Sequence, residues 1–415
     1  MMHRLLNLSL RGGGMVGKFL LIFILARLLP PAELGIYGLL TATVGYALYF
    51  VGLDFYTYSS REMLHADKYM WPAMLRDQAV LFVSSYVVVL PSLVFLFWAD
   101  FLPVKYALVF YVLLVVEHLS QELYRLLVTI GKPMAAGVSL FIRSGAWCYV
   151  LVVVYLSGYS EINLHAVMWM WVIADVIVVI FGAWLLRKLP WDELKSSVDW
   201  VWIRKGLKVA GLLLIGTIAL RGILTIDRYF VETYAGLDVL GVYTLYMGIC
   251  FSLIGFVDAA VFSFRYPILV SLYKSGQYGA FKVAERDFAR QTLIAVIALA
   301  IVTTLLAVPV LEWVGKPIYL QHIQILFILL AASIFFIIGH VPHYVLYAMG
   351  RDRSIVRAHV SGLGLFVALS FLLASTYGMS GIAISLCGTF AYLGLLKQWH
   401  VSSLRKASIT HGMDK

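Results

Sequence analysis

Twelve runs of about 20 mostly apolar residues follow one another along this chain and decide what it can fold into. One such run is long enough for a helix to cross the hydrocarbon core of a bilayer. Hydrophobic residues make up 62% of the chain and charged residues only 13%, a balance that excludes a soluble globular domain. We therefore predict an all-α integral membrane protein with twelve transmembrane helices. The predicted spans are 6–29, 35–57, 78–101, 105–130, 134–157, 163–187, 207–231, 238–263, 289–310, 320–348, 354–375 and 380–400.

A weak internal repeat relates the two halves of the chain. Residues 35–61 and 241–265 both begin with Gly-(Ile/Val)-Tyr, and each contains an aspartate followed seven residues later by an arginine. These pairs are Asp54 with Arg61 and Asp258 with Arg265. The offset between the copies, 206 residues at the start and 204 at the end, is close to half of the 415 residues. Repeated halves in a membrane protein with many spans are typical of transporters that work by alternating access.

The repeat predicts two pseudo-symmetric lobes of six helices each. The N-terminal lobe takes residues 1–187, a cytoplasmic linker takes 188–206, and the C-terminal lobe takes 207–415. The linker places tryptophans among lysines, as expected of a segment at the lipid interface. A second long connection, 266–290, alternates apolar and basic residues and predicts an amphipathic surface helix.

The distribution of basic residues predicts that both termini face the cytoplasm. In that orientation most lysines and arginines fall in inner segments, Lys397 among them, and the outer loops hold little beyond Arg27, Lys105 and Lys316. This asymmetry follows the positive-inside rule for a multi-pass protein of the cytoplasmic (inner) membrane. The net charge of +10 then reflects topology and contact with anionic membrane lipids, and we expect no nucleic-acid partner. The first apolar run lacks an Ala-x-Ala-like cleavage site and predicts an uncleaved helix.

Nothing in the sequence has the pattern of a catalytic site. We find no nucleophile–base pair, no metal-ligand spacing and no phosphate-binding loop, and Gly12–Gly14 lacks the strand–turn–helix setting that such a loop needs. Those glycines favour close helix packing or a hinge. Every predicted outer loop is short, which argues against a polymerase that must hold an acceptor outside the membrane. We expect no enzyme activity, no metal and no cofactor, and the three cysteines predict no disulfide framework.

Charged residues inside predicted spans carry the functional argument, because a charge at mid-bilayer costs at least about 2.5 kcal/mol. Lys18 lies near the middle of the first helix, and Arg221 lies near the middle of the seventh, its counterpart in the repeat. In a two-lobed transporter these helices line the central cleft, so two cations there suit an anionic substrate such as a pyrophosphate, which arginine binds bidentately. The alternative is that a neighbouring carboxylate neutralises each cation, and Asp227 is close to Arg221 in sequence.

The fourth predicted helix carries a wide polar stripe. Glu122 and Arg143 are equidistant from the turn that joins the fourth and fifth helices, so we predict a structural ion pair between them. Glu117 is then the less neutralised acid and a candidate for binding a proton or a coupling ion. Asp175 in the sixth helix is a second candidate, and it either pairs with Lys18 or binds a cation.

The Asp–Arg pairs of the repeat lie near the inner ends of the second and eighth helices. A separation of seven residues corresponds to about two helical turns, so the members of each pair would share one helix face. We interpret Asp54, Arg61, Asp258 and Arg265 as an inner gate or topology anchor, in preference to an ion-binding site.

The tenth predicted helix contains two histidines. His340 and His343 flank Pro342. A proline at this depth can break a helix beside a cavity. The alternative is that both histidines are hydrogen-bonded residues of the core.

Two hairpins carry a recognisable pattern. The first contains Ala26-Arg27 and Gly35-Ile36-Tyr37, with Pro30 between them, and the second contains Asp227-Arg228-Tyr229-Phe230 followed by Gly241-Val242-Tyr243. These segments, and the basic stretch that begins at Tyr266-Pro267, resemble the polysaccharide-unit flippases of the Wzx type, although that family usually has glycine where Pro30 stands. The family belongs to the multidrug/oligosaccharidyl-lipid/polysaccharide (MOP) exporter superfamily, together with multidrug extruders and lipid II flippases.

The resemblance implies a MATE-like fold and a flippase. Such a protein moves polyprenyl-pyrophosphate-linked oligosaccharide units, for example of an O-antigen, from the inner to the outer leaflet by rocking its two lobes, coupled to a proton or sodium gradient. Its expected partners are the lipid-linked glycan, membrane lipids and the polysaccharide polymerase machinery.

Two alternatives remain open. A cation-coupled multidrug extruder of the same fold would need an acidic, aromatic cavity. The cations Lys18 and Arg221 argue against an extruder, whereas Glu117 and Asp175 favour one. A membrane polysaccharide polymerase or glycosyltransferase is disfavoured by the short outer loops.

Overall fold

The computed structural model of the chain describes residues 2–158, 162–191 and 197–412, and nearly all of them are helical. Ten helical segments in this part of the chain are long and apolar enough to cross a membrane. The last of them, Asp352–Arg405, turns at Gly378 and counts as two spans, and the helix Met2–Leu28 completes the set. The chain is an all-α membrane protein with twelve transmembrane helices in two pseudo-symmetric lobes of six, as predicted.

We number the spanning helices in chain order. Their bounds are α1 (Met2–Leu28), α2 (Pro31–Gly52), α3 (Lys68–Trp98), α4 (Val104–Thr129), α5 (Pro133–Leu156), α6 (Leu164–Leu186), α7 (Trp200–Ala235), α8 (Leu237–Lys274), α9 (Tyr278–Val314), α10 (Ile323–Ala348), α11 (352–377) and α12 (379–412). Two short helices, Tyr56–His65 and Pro317–Gln321, lie between spans.

Prolines and glycines set several helix ends. Pro31 and Pro133 occupy the first turns of α2 and α5, where the missing N–H costs no hydrogen bond. Gly131 turns the chain between α4 and α5 with a φ of 75°, and Gly378 does so between α11 and α12 with a φ of 52°. Glycine is the residue that adopts this backbone conformation without a steric penalty.

Contacts between helices divide the chain into two compact units, Met1–Leu214 and Ile215–Lys415. In the first unit, α4 packs along α6 and α1 packs along α5. In the second unit, α10 packs against the α11–α12 pair. We refer to these as the first and second units.

Helix α7 begins earlier than its predicted start at residue 207. Asp199 caps it, because its Oδ1 accepts a hydrogen bond of 2.9 Å from the backbone N–H of Trp202. The beginning of α7 packs into an apolar cluster of the first unit that contains Phe55, Tyr58 and Ile203. Part of the expected linker, residues 192–196, lies outside the described residues.

The predicted amphipathic surface helix at 266–290 is wrong. Its first part continues α8 to Lys274, and its last part is the beginning of α9. Gly276, with a φ of 72°, makes the turn between them, and the N–H of Gln277 closes it by donating to the carbonyl of Leu272 at 3.0 Å. The segment 266–290 therefore belongs partly to α8 and partly to α9, and its apolar residues lie on these two helices.

The two copies of the internal repeat have different backbone structures at their aspartates, Asp54 and Asp258. In the first copy α2 ends at Gly52, and Leu53 and Asp54 have φ values of 52° and 49° before a new helix begins. In the second copy α8 continues through a π-helical turn, Asp258–Phe262. The expectation that Asp54 and Arg61 share one helix face is wrong, because Asp54 has a left-handed backbone conformation and lies before the helix that carries Arg61.

Helices α1 and α5 meet through glycines. A Cβ atom placed on Gly145 would lie 2.7 Å from the Cα of Gly14, and one placed on Gly17 would lie 3.3 Å from the Cα of Gly145. The hydroxyl of Tyr149 donates to the carbonyl of Gly13 across the same contact at 2.8 Å. Of the two alternatives for Gly12–Gly14, close packing is confirmed for Gly13 and Gly14, whereas a Cβ on Gly12 would meet no atom within 4 Å. Such backbone contact is typical of membrane helix pairs.

We expect Gly145→Ala to destabilise the protein, because its methyl group has no space unless the two backbones move apart. The apparent melting temperature of the purified protein in detergent should fall by several degrees. Gly45→Ala in α2 is the matched control, because a Cβ there meets no atom within 4 Å and alanine favours a helix over glycine by about 0.5–1 kcal/mol. Equal melting temperatures for the two variants would contradict the close contact.

Candidate functional site

The first unit buries an acid–base cluster formed by α4, α5 and α6. Glu117 of α4 and Arg143 of α5 form an ion pair with 3.2 Å between Oε1 and Nη1, and their side chains are 10% and 11% exposed. The indole N–H of Trp171 in α6 donates to the other carboxylate oxygen of Glu117 at 3.1 Å. Together with Asp175 of α6, this pair forms what we call the carboxylate cluster (Glu117, Arg143 and Asp175).

A local widening of α5 positions Arg143. The residue lies in a π-helical turn, Ile142–Ala146, and such turns occur frequently at functional sites. Two residues further on, Gly145 touches α1. The same turn of α5 therefore carries a charged contact to α4 and a backbone contact to α1.

Asp175 is the second acid of the carboxylate cluster and is fully buried. Its Oδ1 accepts a hydrogen bond of 2.7 Å from the hydroxyl of Ser120. Its carboxyl group also interacts with that of Glu117, and its Oδ2 has no hydrogen-bond partner within the described chain. Two adjacent carboxyl groups are the arrangement in which a proton can be shared. No ion pair joins Asp175 to Lys18 among the described residues, so that alternative is wrong.

Glu122 pairs with Arg125 instead of Arg143. Arg125 Nη1 lies 2.5 Å from Glu122 Oε1, and the side-chain amide of Gln78 donates to the other oxygen at 2.9 Å. The predicted Glu122–Arg143 pair is wrong because Glu122 has a partner three residues along its own helix. Arg143 instead reaches Glu117, so Glu117 is not the less neutralised acid.

A cavity of about 190 Å³ adjoins the Glu122–Arg125 pair. Tyr56 of the short helix places its ring 3.6 Å from the guanidinium carbon of Arg125, a cation–π contact that stabilises the charge. The rest of the cavity wall is mostly apolar. This pair is thus held by its own helix and by an aromatic ring, and it has the character of a structural contact.

The two candidate substrate-binding cations, Lys18 and Arg221, are both exposed on transmembrane helices. Asp227, the acid close to Arg221 in sequence, has two partners in the structure. It is fully buried, with one oxygen 3.2 Å from Nη1 of Arg228 and the other accepting from the hydroxyl of Tyr243 at 2.9 Å. The alternative that a carboxylate neutralises Arg221 stays a prediction.

The second unit contains a basic cluster with two buried and two half-buried members, which sequence reasoning found only in part. It consists of His340 and His343 of α10, His359 of α11 and Lys397 of α12, and we call it the histidine–lysine cluster. The rings of His343 and His359 are nearly parallel, at 6° with centroids 5.8 Å apart, and His340 lies 5.7 Å from His343. Lys397 is 5% exposed and acts electrostatically on all three rings. Neither Lys397 nor His359 was singled out from the sequence.

The four gate candidates lie in unequal environments. Asp54 is buried, whereas Asp258 and Arg61 are exposed. Arg265 donates through Nε to the side-chain oxygen of Gln291 at 2.8 Å, which joins α8 to α9. Their role as an inner gate stays a prediction.

Comparison with known protein families shows which family the chain belongs to. The sequence pattern of the family described as polysaccharide biosynthesis protein matches residues 6–272, which is more than half of the chain. The chain belongs to this family. No curated protein matches the sequence closely enough to count as a relative.

Solved structures share the fold of this polysaccharide biosynthesis family member over nearly its whole length. An inward-facing multidrug resistance MATE family transporter of the MOP superfamily matches with a TM-score of 0.75 at 14% identity, over 97% of this chain and 96% of its own. An outward-facing structure of such a transporter matches with a TM-score of 0.61 at 15% identity, over 97% and 96%. The lipid II flippase MurJ, in an inward closed conformation, matches with a TM-score of 0.69 at 13% identity, over 97% and 87%. The MATE-like fold implied by the sequence resemblance is confirmed.

A charge swap tests the carboxylate cluster. Removing one partner of a buried ion pair costs about 3–5 kcal/mol, so Glu117→Arg and Arg143→Glu should each lower the melting temperature by many degrees. The double variant Glu117→Arg/Arg143→Glu should recover part of the loss. The matched control is Glu122→Arg/Arg143→Glu, which should recover none of the lost melting temperature. Recovery in the control and none in the first double variant would contradict the observed pairing.

Proposed function

We propose that this protein is a flippase that moves polyprenyl-pyrophosphate-linked oligosaccharide units from the inner to the outer leaflet of the cytoplasmic membrane. The observation that carries the proposal is membership of a polysaccharide biosynthesis family in a chain with a transporter fold. One of the structures that share this fold belongs to a flippase for lipid II. A protein that serves polysaccharide synthesis with a transporter fold is best explained by a lipid-linked glycan substrate.

Two exposed cations support an anionic substrate. Lys18 on α1 and Arg221 on α7 are exposed although both belong to transmembrane helices, where a charge without a polar surrounding is costly. A pyrophosphate group offers oxygens that a lysine or an arginine can bind, and the guanidinium of Arg221 can bind two of them at once. In this proposal the polyprenyl tail stays in lipid, and Lys18 and Arg221 each attract the charged head group.

The carboxylate cluster supplies a site for a coupling ion. With Glu117, Asp175 and Arg143 all ionised, the cluster carries one net negative charge in a buried position, and one bound proton or sodium ion neutralises it. Charges of this kind are costly in low dielectric and mark ion pathways in membrane proteins. We therefore assign Glu117 and Asp175 to ion coupling, in a cycle of alternating access driven by a proton or sodium gradient.

The orientation follows from the basic residues. Both termini face the cytoplasm in this proposal, because the predicted inner segments then hold most of the lysines and arginines. The flipped glycan lipid would be released at the outer leaflet, where a polysaccharide polymerase would receive it.

A cation-coupled multidrug extruder is the second candidate. It is favoured by the buried acids Glu117 and Asp175 and by the similarity to structures of multidrug resistance transporters. The exposed cations Lys18 and Arg221 disfavour it, because they repel the cationic compounds that an acidic site would attract.

Deletion of the gene in its host tests the substrate. Lipid-linked glycan should accumulate at the inner leaflet and the surface polymer should be lost. The wild-type gene should restore the polymer, whereas Lys18→Ala/Arg221→Ala should restore less than a tenth of it. Lys274→Ala, an exposed lysine at the end of α8, is the control and should restore it fully. Full restoration by the double variant would refute the role of the two cations. Unchanged polymer with altered resistance to cationic toxins would favour the extruder.

Asp175→Asn tests the coupling site. The amide preserves the size of the side chain and a hydrogen-bonding oxygen for Ser120, but it cannot hold the exchangeable proton or neutralise a cation. Gradient-driven flipping in proteoliposomes should fall at least tenfold, while exchange without a gradient should persist. Glu62→Gln is the control, because its carboxylate forms an exposed pair with Lys205 at 3.6 Å. Gradient-driven flipping at the wild-type rate in Asp175→Asn would exclude this site.

A further inference from the structure

The histidine–lysine cluster gathers four basic side chains from three helices of the second unit, and His340 and His343 are half-buried. His359 and Lys397 are each 5% exposed. In the described chain no carboxylate lies within ion-pair distance of Lys397. The arrangement is the opposite of the carboxylate cluster, where an arginine accompanies the acids.

Hydrogen bonds to backbone carbonyls determine which ring nitrogen of each histidine carries the hydrogen and which can accept a proton. His340 Nδ1 lies 2.8 Å from the carbonyl oxygen of Phe336, and His359 Nδ1 lies 3.1 Å from that of Gly216. A carbonyl only accepts, so Nδ1 carries the hydrogen in both rings and Nε2 presents a lone pair in the neutral form. Nε2 of His359 is buried and has no hydrogen-bond partner within the described chain. This nitrogen can therefore accept a proton.

The neighbouring helices add aromatic rings and one further cation. From α7, Arg221 acts on His340. From α8, the ring of Phe262 stacks on His340 at 5.5 Å, and Asp258 acts on Tyr344 of α10. From α9, Phe288 packs against Tyr344.

No described carboxylate lies within ion-pair distance of the three rings or of Lys397, and the charged groups that act most on the rings are themselves basic. The cluster therefore has nitrogens that accept a proton and no acid that would hold the proton in a fixed salt bridge. These are the properties of a proton relay, and chains of histidines inside membrane proteins serve as proton relays.

We propose that the histidine–lysine cluster is a proton-binding site of the second unit that couples proton movement to transport. The coupling rests on the proposed function, whereas proton binding itself does not. A ring nitrogen or the amine of Lys397 takes a proton from the aqueous phase and later returns it, so that only N–H bonds form and break. The site is separate from the carboxylate cluster, which belongs to the first unit.

Nitrogen NMR of the full-length protein, labelled with ¹⁵N-histidine in lipid bilayers, tests proton binding. The resonance of His359 Nε2, assigned by its loss in His359→Gln, should shift between pH 8 and pH 5 as the amine of Lys397, which acts electrostatically on this ring, gains its proton. Lys397→Met should abolish the shift, because the amine that takes the proton is then absent. Lys274→Met should leave it in place. A resonance that does not shift over this range, or a shift that persists in Lys397→Met, overturns the proposal.

Proteoliposomes loaded with the lipid-linked glycan test the coupling. His359→Gln and Lys397→Met should each reduce flipping driven by a pH gradient at least tenfold and keep exchange without a gradient within twofold of the wild type. Gradient-driven flipping at the wild-type rate in both variants overturns the coupling. A wild-type protein that moves no glycan lipid refutes the proposed function instead, and the NMR titration still decides whether the cluster binds protons.

Discussion

The cost of holding an ionised side chain away from water governs how polar groups are arranged in both units. Five buried or half-buried acids of the described chain each have an arginine beside them: Asp77 has Arg76, Glu117 has Arg143, Glu122 has Arg125, Asp227 has Arg228, and Glu285 has Arg405. Three of these five arginines lie within three residues of their acid on the same helix, where the backbone keeps the partners close together. Buried ionisable groups without such a partner are the ones that point to a function. Asp175 has a hydroxyl and a second carboxyl as neighbours, and Lys397 has histidines.

The number of spans, the two lobes and the superfamily fold follow from the sequence because they depend on coarse properties. Apolar runs of bilayer length predict helices whatever their neighbours are, and the repeat of Gly-(Ile/Val)-Tyr with its Asp–Arg ending indicates two similar halves. The close packing of α1 is predictable for the same reason, since three successive glycines serve few purposes in an apolar helix.

The contacts between charges do not follow from the sequence, because they depend on local helix geometry. Placing Glu122 opposite Arg143 assumes two uniform α-helices joined by a symmetric turn. The π-helical turn at Ile142–Ala146 breaks that assumption, and Arg125 supplies a nearer partner. The histidine–lysine cluster was missed because its members come from three helices and are scattered in sequence. Lys397 in particular has the appearance of a basic residue at the end of a span, and only the packing of α10, α11 and α12 reveals that it is buried.

The contact of Gly14 with Gly145 has a mechanical consequence. Lys18 lies one helical turn after Gly14 on α1, and Arg143 lies two residues before Gly145 on α5, so a single backbone joint connects the two charged positions. Packed backbones resist deformation, and α1 therefore cannot be drawn toward a ligand at Lys18 without either pulling α5 along or opening the joint. Either response strains the bond between Arg143 and Glu117. A pull on Lys18 thus reaches Glu117 through the contact between the two helix backbones, and it needs no rearrangement of the polar side chains between them.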